Sequence, residues 1–139
     1  MKTRLFAIVA SLSFIFVSFT WAQGPGRGAR NYNPATETTV KGVVDQVQEV
    51  SGRRGWNGTH LMLKTEAGTV DVHVGPSSYV AAQGFSFSQG DQVQVLGSKV
   101  KLAGGEALIA REIKRGEKTL VLRDANGMPQ WAGGRRSAN

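Results

Sequence analysis

The chain of 139 residues contains no cysteine. A disulfide, a bacterial lipid anchor on a thiol and a cysteine nucleophile are all excluded, so the fold must stand on its core alone. Histidine is nearly as scarce: His60 and His73 are the only two. The sequence has no GxSxG, no phosphate-binding glycine loop and no HExxH. Glu49, Glu66, Glu106 and Glu112 are scattered, with no spacing that pairs them as acid and base. A triad built from distant residues is the catalytic arrangement that a sequence leaves open. Helical repeats and internal duplications are missing as well.

What is present starts with a leader. Lys2 and Arg4 precede an uncharged apolar run, LFAIVASLSFIFVSF, and Thr20-Trp21-Ala22 offers small residues at the outer and inner cleavage positions. This pattern predicts a cleaved signal peptide over 1–22, hence a periplasmic or secreted protein. The apolar run is short against the roughly 20 residues of a spanning helix, so no membrane span is expected after cleavage. The whole chain carries 17 basic and 10 acidic residues. Losing Lys2 and Arg4 with the leader takes the basic count to 15 against the same 10, a balance of +5. The basic residues are spread along the chain, which fits a soluble exported protein.

GPGRGARNYNPATE, within a segment 23–37, is rich in Gly, Pro and Asn and predicts a flexible lead-in. WAGGRRSAN at the end predicts a loose basic tail over 133–139. Between them, over 38–132, short β-branched runs alternate with glycine-containing turns, the pattern of a small barrel or sandwich. TTVKGVVDQVQEV changes parity after Gly42, which predicts a bulge that lets one long strand serve both halves of a barrel. Ser77 or Ser78 is placed to cap a short helix ending at Gly84, and Phe85 and Phe87 are expected to plug one barrel end. Strands follow at GDQVQVLGSKV, with Val93 and Val95 inward, and at EALIAREIKRG. KTLVLRDANGMPQWAG predicts a closing hairpin around Asp124-Ala125-Asn126-Gly127, with Trp131 returning onto the body. Three strands, a short helix and two more strands is the order of the OB-fold. The predicted class is therefore all-β, a five-stranded Greek-key barrel with one short helix and an extra C-terminal hairpin.

VHVGPSSYV, GDQVQVLGS and LRDANGMPQW resemble the OB-like domain of the magnetosome MamS/MamX type and, more broadly, small exported bacterial OB-fold proteins. The resemblance implies a binding or accessory module and brings no catalytic set.

Alternation in HLMLKTE and TVDVHV assigns Leu61, Leu63, Val72 and Val74 to one buried face. The register then expected sets Leu63 opposite Val72, Leu61 opposite Val74, Lys64 opposite Asp71 and Met62 opposite His73, with His60 on the diagonal. His60, Met62 and His73 form a candidate site for copper or another transition metal, since imidazole suits several such ions and a thioether favours Cu(I). In the competing reading, Arg53, Arg54 and Trp56 after the first strand, with Lys99 and Lys101 after the fourth, bind an anion or a single-stranded nucleic acid. A third reading is a protein-interaction or stress-protection module without a small ligand. The sequence favours a non-enzymatic module whose partner is a small ligand, a metal or another periplasmic protein.

Overall fold

A computed structural model describes residues 31–133. The predicted signal peptide, the predicted lead-in before residue 31 and the predicted tail beyond residue 133 lie outside the described residues. The β-branched runs become β1 (Glu37–Ser51), β2 (Asn57–Thr65), β3 (Gly68–Pro76), β4 (Gln92–Leu102), β5 (Gly105–Arg115) and a short β6 (Lys118–Val121). Helix α1 (Ser77–Ala82) lies between β3 and β4. The sheet order is β3-β2-β1-β4-β5-β6, and β3 also pairs with β5. That second pairing is parallel and closes the sheet into the five-stranded OB barrel, with β6 added at the outside of β5.

β1 does serve both halves. Residues 37–43 pair with β4, and residues 43–51 pair with β2. The bulge falls between Val44 and Gln46, at Asp45, rather than beside Gly42. Gly42 has another job: a Cβ there would lie 2.6 Å from the Lys64 carbonyl oxygen. The bulge leaves Val44 in the core while Val43 and Val47 face outward. Leu61, Leu63, Val72, Val74, Val93 and Val95 fill the barrel as their alternation predicts, joined by Leu108, Ala110 and Ile113. Val80 of α1 and Phe85 close one end, with Phe87 packed against them. Arg115 holds this plug: its guanidinium lies 5.2 Å from the centre of the Phe85 ring and donates to Asp91 at 3.2 Å and to the Ser86 carbonyl.

Three local expectations are corrected. Pro76, not a serine, caps α1, and the Ser77 hydroxyl bonds that of Thr59 at 2.9 Å instead. The C-terminal hairpin is reduced to one bridge, Arg123 to Pro129, around a turn whose Asp124 carboxylate accepts from the backbone of Asn126 and Met128. Pro129 has no N–H with which to extend a ladder; the true strand of that segment, β6, pairs backward with β5. Finally, the lead-in is ordered at its end. Tyr32 is 2% exposed, and Pro34–Thr36 form a 3₁₀ turn capped by Asn33. The fully buried Ser98 hydroxyl accepts from the Asn33 N–H and bonds the Thr36 hydroxyl, tying the turn to β4.

Tyr32 anchors a polar cluster on the barrel wall. Its hydroxyl donates to Glu37, whose carboxylate also takes two hydrogen bonds from Arg111 at 2.9 and 3.1 Å. Burial alone would raise the Glu37 carboxyl, but the bonds from Tyr32 and Arg111 outweigh it and hold the group below its ordinary 4.5. The depressed value means the unfolded chain takes up a proton first as pH falls, so this stabilisation is present above 4.5 and lost below it. In urea titrations from pH 7 to pH 3, Glu37→Gln is expected to lose less stability than the parent across the acid limb. Tyr32→Phe should cost about 1.5–3 kcal/mol at pH 7, the range for a hydrogen bond to a charged group. Equal acid limbs for the parent and Glu37→Gln would contradict the assignment.

Candidate metal centre

The β2–β3 hairpin turns at Glu66–Ala67. The Thr65 hydroxyl accepts from the Ala67 N–H at 3.2 Å and donates to the Gly68 carbonyl at 2.7 Å, which makes Thr65 and Gly68 the last pair. The register is therefore displaced by two residues from the expected one. Leu61 faces Val72, Leu63 faces Val70, Met62 faces Asp71 and Lys64 faces Thr69. A two-residue displacement keeps every side chain on its face, which is why the core set survives it. Lys64 does not meet Asp71; its ammonium lies 3.0 Å from Asp45 at the β1 bulge.

The displacement brings His60 directly opposite His73. Beyond this pair the ladder shifts, since Thr59 faces Gly75 and Val74 is the extra residue on β3. The two imidazole centres lie 3.9 Å apart with planes tilted by 38°. Asp71, two residues before His73 and so on the same face, stands beside both rings. His73 Nε2 lies 3.2 Å from Asp71 Oδ2, and His60 Nδ1 lies 3.5 Å from Asp71 Oδ1. One donor atom from each of the three residues falls within 4.8 Å of the others. With ligand bonds of about 2.1 Å, the donors of a tetrahedral ion are about 3.4 Å apart, so the two imidazole–carboxylate separations suit the edges of a coordination polyhedron. Asp71 Oδ1 is buried without a hydrogen-bond partner, the kind of acceptor that a proton or cation would satisfy. The imidazoles are 18% and 28% exposed. Burial, and then the neighbouring His73, hold the His60 imidazole below its ordinary 6.5 against the opposing pull of Asp71. A neutral imidazole is the form that ligates.

Asp71 joins the two histidines although the sequence assigned it to no site. The alternating D-V-H of β3 was the signal for it, obscured because the expected register gave Asp71 to Lys64. Met62 remains on the His60 face of β2, directly across from Asp71.

His60 and His73, though not Asp71, also line a cleft of about 180 Å3 together with Trp56, Trp131 and Arg123. Both indoles rest on glycine. A Cβ on Gly58 would lie 2.5 Å from the Trp56 ring, and one on Gly75 would lie 2.7 Å from that of Trp131. Any side chain at either position would lift an indole off the barrel. No local sequence pattern linked Arg123 or Trp131 to the histidines, because the chain brings them back from the far side of β6.

The basic set is divided. Arg53, Arg54 and Trp56 border a groove of about 410 Å3 together with Ser77 and Ser78 at the start of α1. Lys99 and Lys101 lie within β4, not in the loop after it, because β4 runs on to a tight turn at Ala103–Gly104. Glu106 of β5 pairs across from Lys101 and lies 3.8 Å from the Lys99 ammonium. Trp56, 44% exposed, borders both the groove and the cleft.

Two solved structures are similar to the chain in shape. The second OB-fold domain of replication protein A from Methanococcus maripaludis is 22% identical, with 60% of this chain and 87% of that one covered and a TM-score of 0.43. A mitochondrial single-stranded DNA binding protein from S. cerevisiae is 10% identical over 65% of this chain and 96% of its own, with a TM-score of 0.44. Magnetosome protein MamS of Paramagnetospirillum magneticum is 27% identical over 106 residues, or 75% of this chain. The chain spans 59% of that relative's length. Residues 36–120, from the 3₁₀ turn to β6, match the model of the MamS/MamX magnetosome protein family. The chain belongs to the MamS/MamX magnetosome protein family.

Proposed function

We propose that this protein is an exported, non-catalytic accessory module that holds a divalent first-row transition metal at His60, Asp71 and His73. One observation carries the reading: two imidazoles and a carboxylate converge on adjacent paired strands, and one carboxylate oxygen is buried without a hydrogen-bond partner, with His60 Nδ1 3.5 Å away. Family membership supports an accessory role, and the leader pattern supports a periplasmic or secreted location. Among the described residues no helix is long and apolar enough to cross a membrane. With a carboxylate as third donor, the set suits divalent zinc, iron, manganese or Cu(II) better than the Cu(I) that a thioether would favour. Met62 stands close by as an accessory donor.

Arg53 and Arg54 favour a second reading. Both are exposed and form no salt bridge among the described residues. With Trp56 they offer cations and a stacking surface to an anionic chain. Such binding would weaken steeply as salt rises. Single-strand binding that is unchanged between 50 and about 300 mM salt would remove this reading. A partner protein that docks without any small ligand is the third reading; it predicts neither metal nor nucleic-acid binding.

Titration with Co2+ is expected to give one visible absorption band set per protein. His60→Ala, Asp71→Ala and His73→Ala should each weaken binding by at least about tenfold, while Met62→Leu changes it less. Binding that is indifferent to all three substitutions overturns the site. Proton competition gives a second check. Because His60 is held below 6.5, the unfolded chain takes up its proton first as pH falls. Its contribution to the stability of the metal-free protein is present above 6.5 and lost as pH falls through the lower folded value. His60→Gln should therefore flatten that part of the pH–stability curve, and bound metal should shift the parent's loss to lower pH.

A further inference from the structure

Three protein donors do not complete the sphere of a first-row ion; a two-histidine, one-carboxylate set leaves positions open. The cleft that His60 and His73 line offers a definite environment for whatever fills them. Arg123 forms part of its wall. This guanidinium donates to the Gly127 carbonyl at 3.1 Å, and its carbon lies 5.0 Å from the centre of the Trp131 ring and 6.0 Å from that of Tyr32. Its Nε is buried without a partner, and it forms no salt bridge among the described residues. Glu37, the acid that Tyr32 bonds, is committed to Arg111 and Tyr32, and the Asp124 carboxylate accepts from the backbone of its own turn. A partly buried cation without an anion is costly. A divalent ion beside one aspartate adds a further net positive charge to the same cleft.

We infer that the cleft binds a small carboxylate anion as co-ligand of the metal, with one end on the ion held by His60, Asp71 and His73 and its charge shared with Arg123. The inference rests on the metal reading above. Size and lining select the class. A volume of about 180 Å3 corresponds to about six waters at roughly 30 Å3 each, which suits a carboxylate of a few carbons. Trp56 and Trp131 supply apolar wall for a carbon body, which inorganic phosphate lacks. Arg123 offers the planar donor fork that matches a carboxylate.

Propionate, a weak chelator, tests this on the full chain loaded with Co2+. Saturable change in the Co2+ absorption bands is expected, with quenching of tryptophan fluorescence at the same midpoint. Metal-free protein should bind propionate at least about tenfold more weakly, and so should Co2+-loaded Arg123→Gln, with Co2+ affinity itself changed less than about threefold. Leu102→Trp, which fills the cleft from the end of β4 and leaves Arg123 in the chain, should block propionate and keep Co2+; it guards against misfolding of the arginine variant. If Co2+ binds but propionate leaves the bands unmoved, or moves them equally in Arg123→Gln and Leu102→Trp, the co-ligand site is wrong and the metal site stands. If phosphate produces the same change at lower concentration, the carboxylate class is overturned. If Co2+ does not bind, the metal reading fails and takes this inference with it.

Discussion

The barrel closes through two pairs of residues on parallel strands, Val72 with Leu108 and His73 with Ile109. Everything else in the molecule is arranged around that short seam. On β3, Val74 bulges just beyond it. Of the two β3 residues in the seam, Val72 points inward as core, and His73 belongs to the candidate metal centre. The backbone that seals the barrel therefore also fixes an imidazole. His60 is held against it by the neighbouring ladder, so the donors stand on paired strands on rigid backbone.

Fold and site differ in how far the sequence revealed them. Inward valines, the turn glycines and the position of α1 followed from alternation and punctuation, because burial of one strand face is a strong constraint on pattern. A displacement of two residues is silent to that constraint. Both registers bury Leu61, Leu63 and Val72, yet only one sets His60 against His73 with Asp71 alongside. The turn decided between them through the Thr65 hydroxyl, a single side-chain choice that periodicity does not weigh. Lys99 and Lys101 were misplaced for a related reason: a two-residue turn let β4 continue where a loop was expected. Arg123, Trp131 and Tyr32 were invisible as partners, since only the closed barrel brings the two ends of the domain to the same wall.

Charge placement separates the two surfaces that share Trp56. On the cleft side, the Arg123 cation and the two imidazoles are partly buried and border a small space, where electrostatic interactions are strong. On the groove side, Arg53 and Arg54 are exposed to water, where screening reduces each contact. The family relationship covers the strands that build both surfaces. The indoles on Gly58 and Gly75 mark the boundary between them, and they depend on backbone positions that accept no side chain.

Tyr32 packs against Gly127, so close that a Cβ there would lie 2.3 Å from its ring. The contact joins nearly the first described residue to a turn close to the last. A ribosome releases the tyrosine long before it releases the glycine. Until then the aromatic ring has no pocket, although Arg111 and the seam strand β5 have already emerged. The nascent chain thus emerges with its sealing parts in the wrong temporal order and completes its barrel late, as chains rich in distant pairings do. Tying the start of a domain to its end makes folding wait for the last turn of that domain.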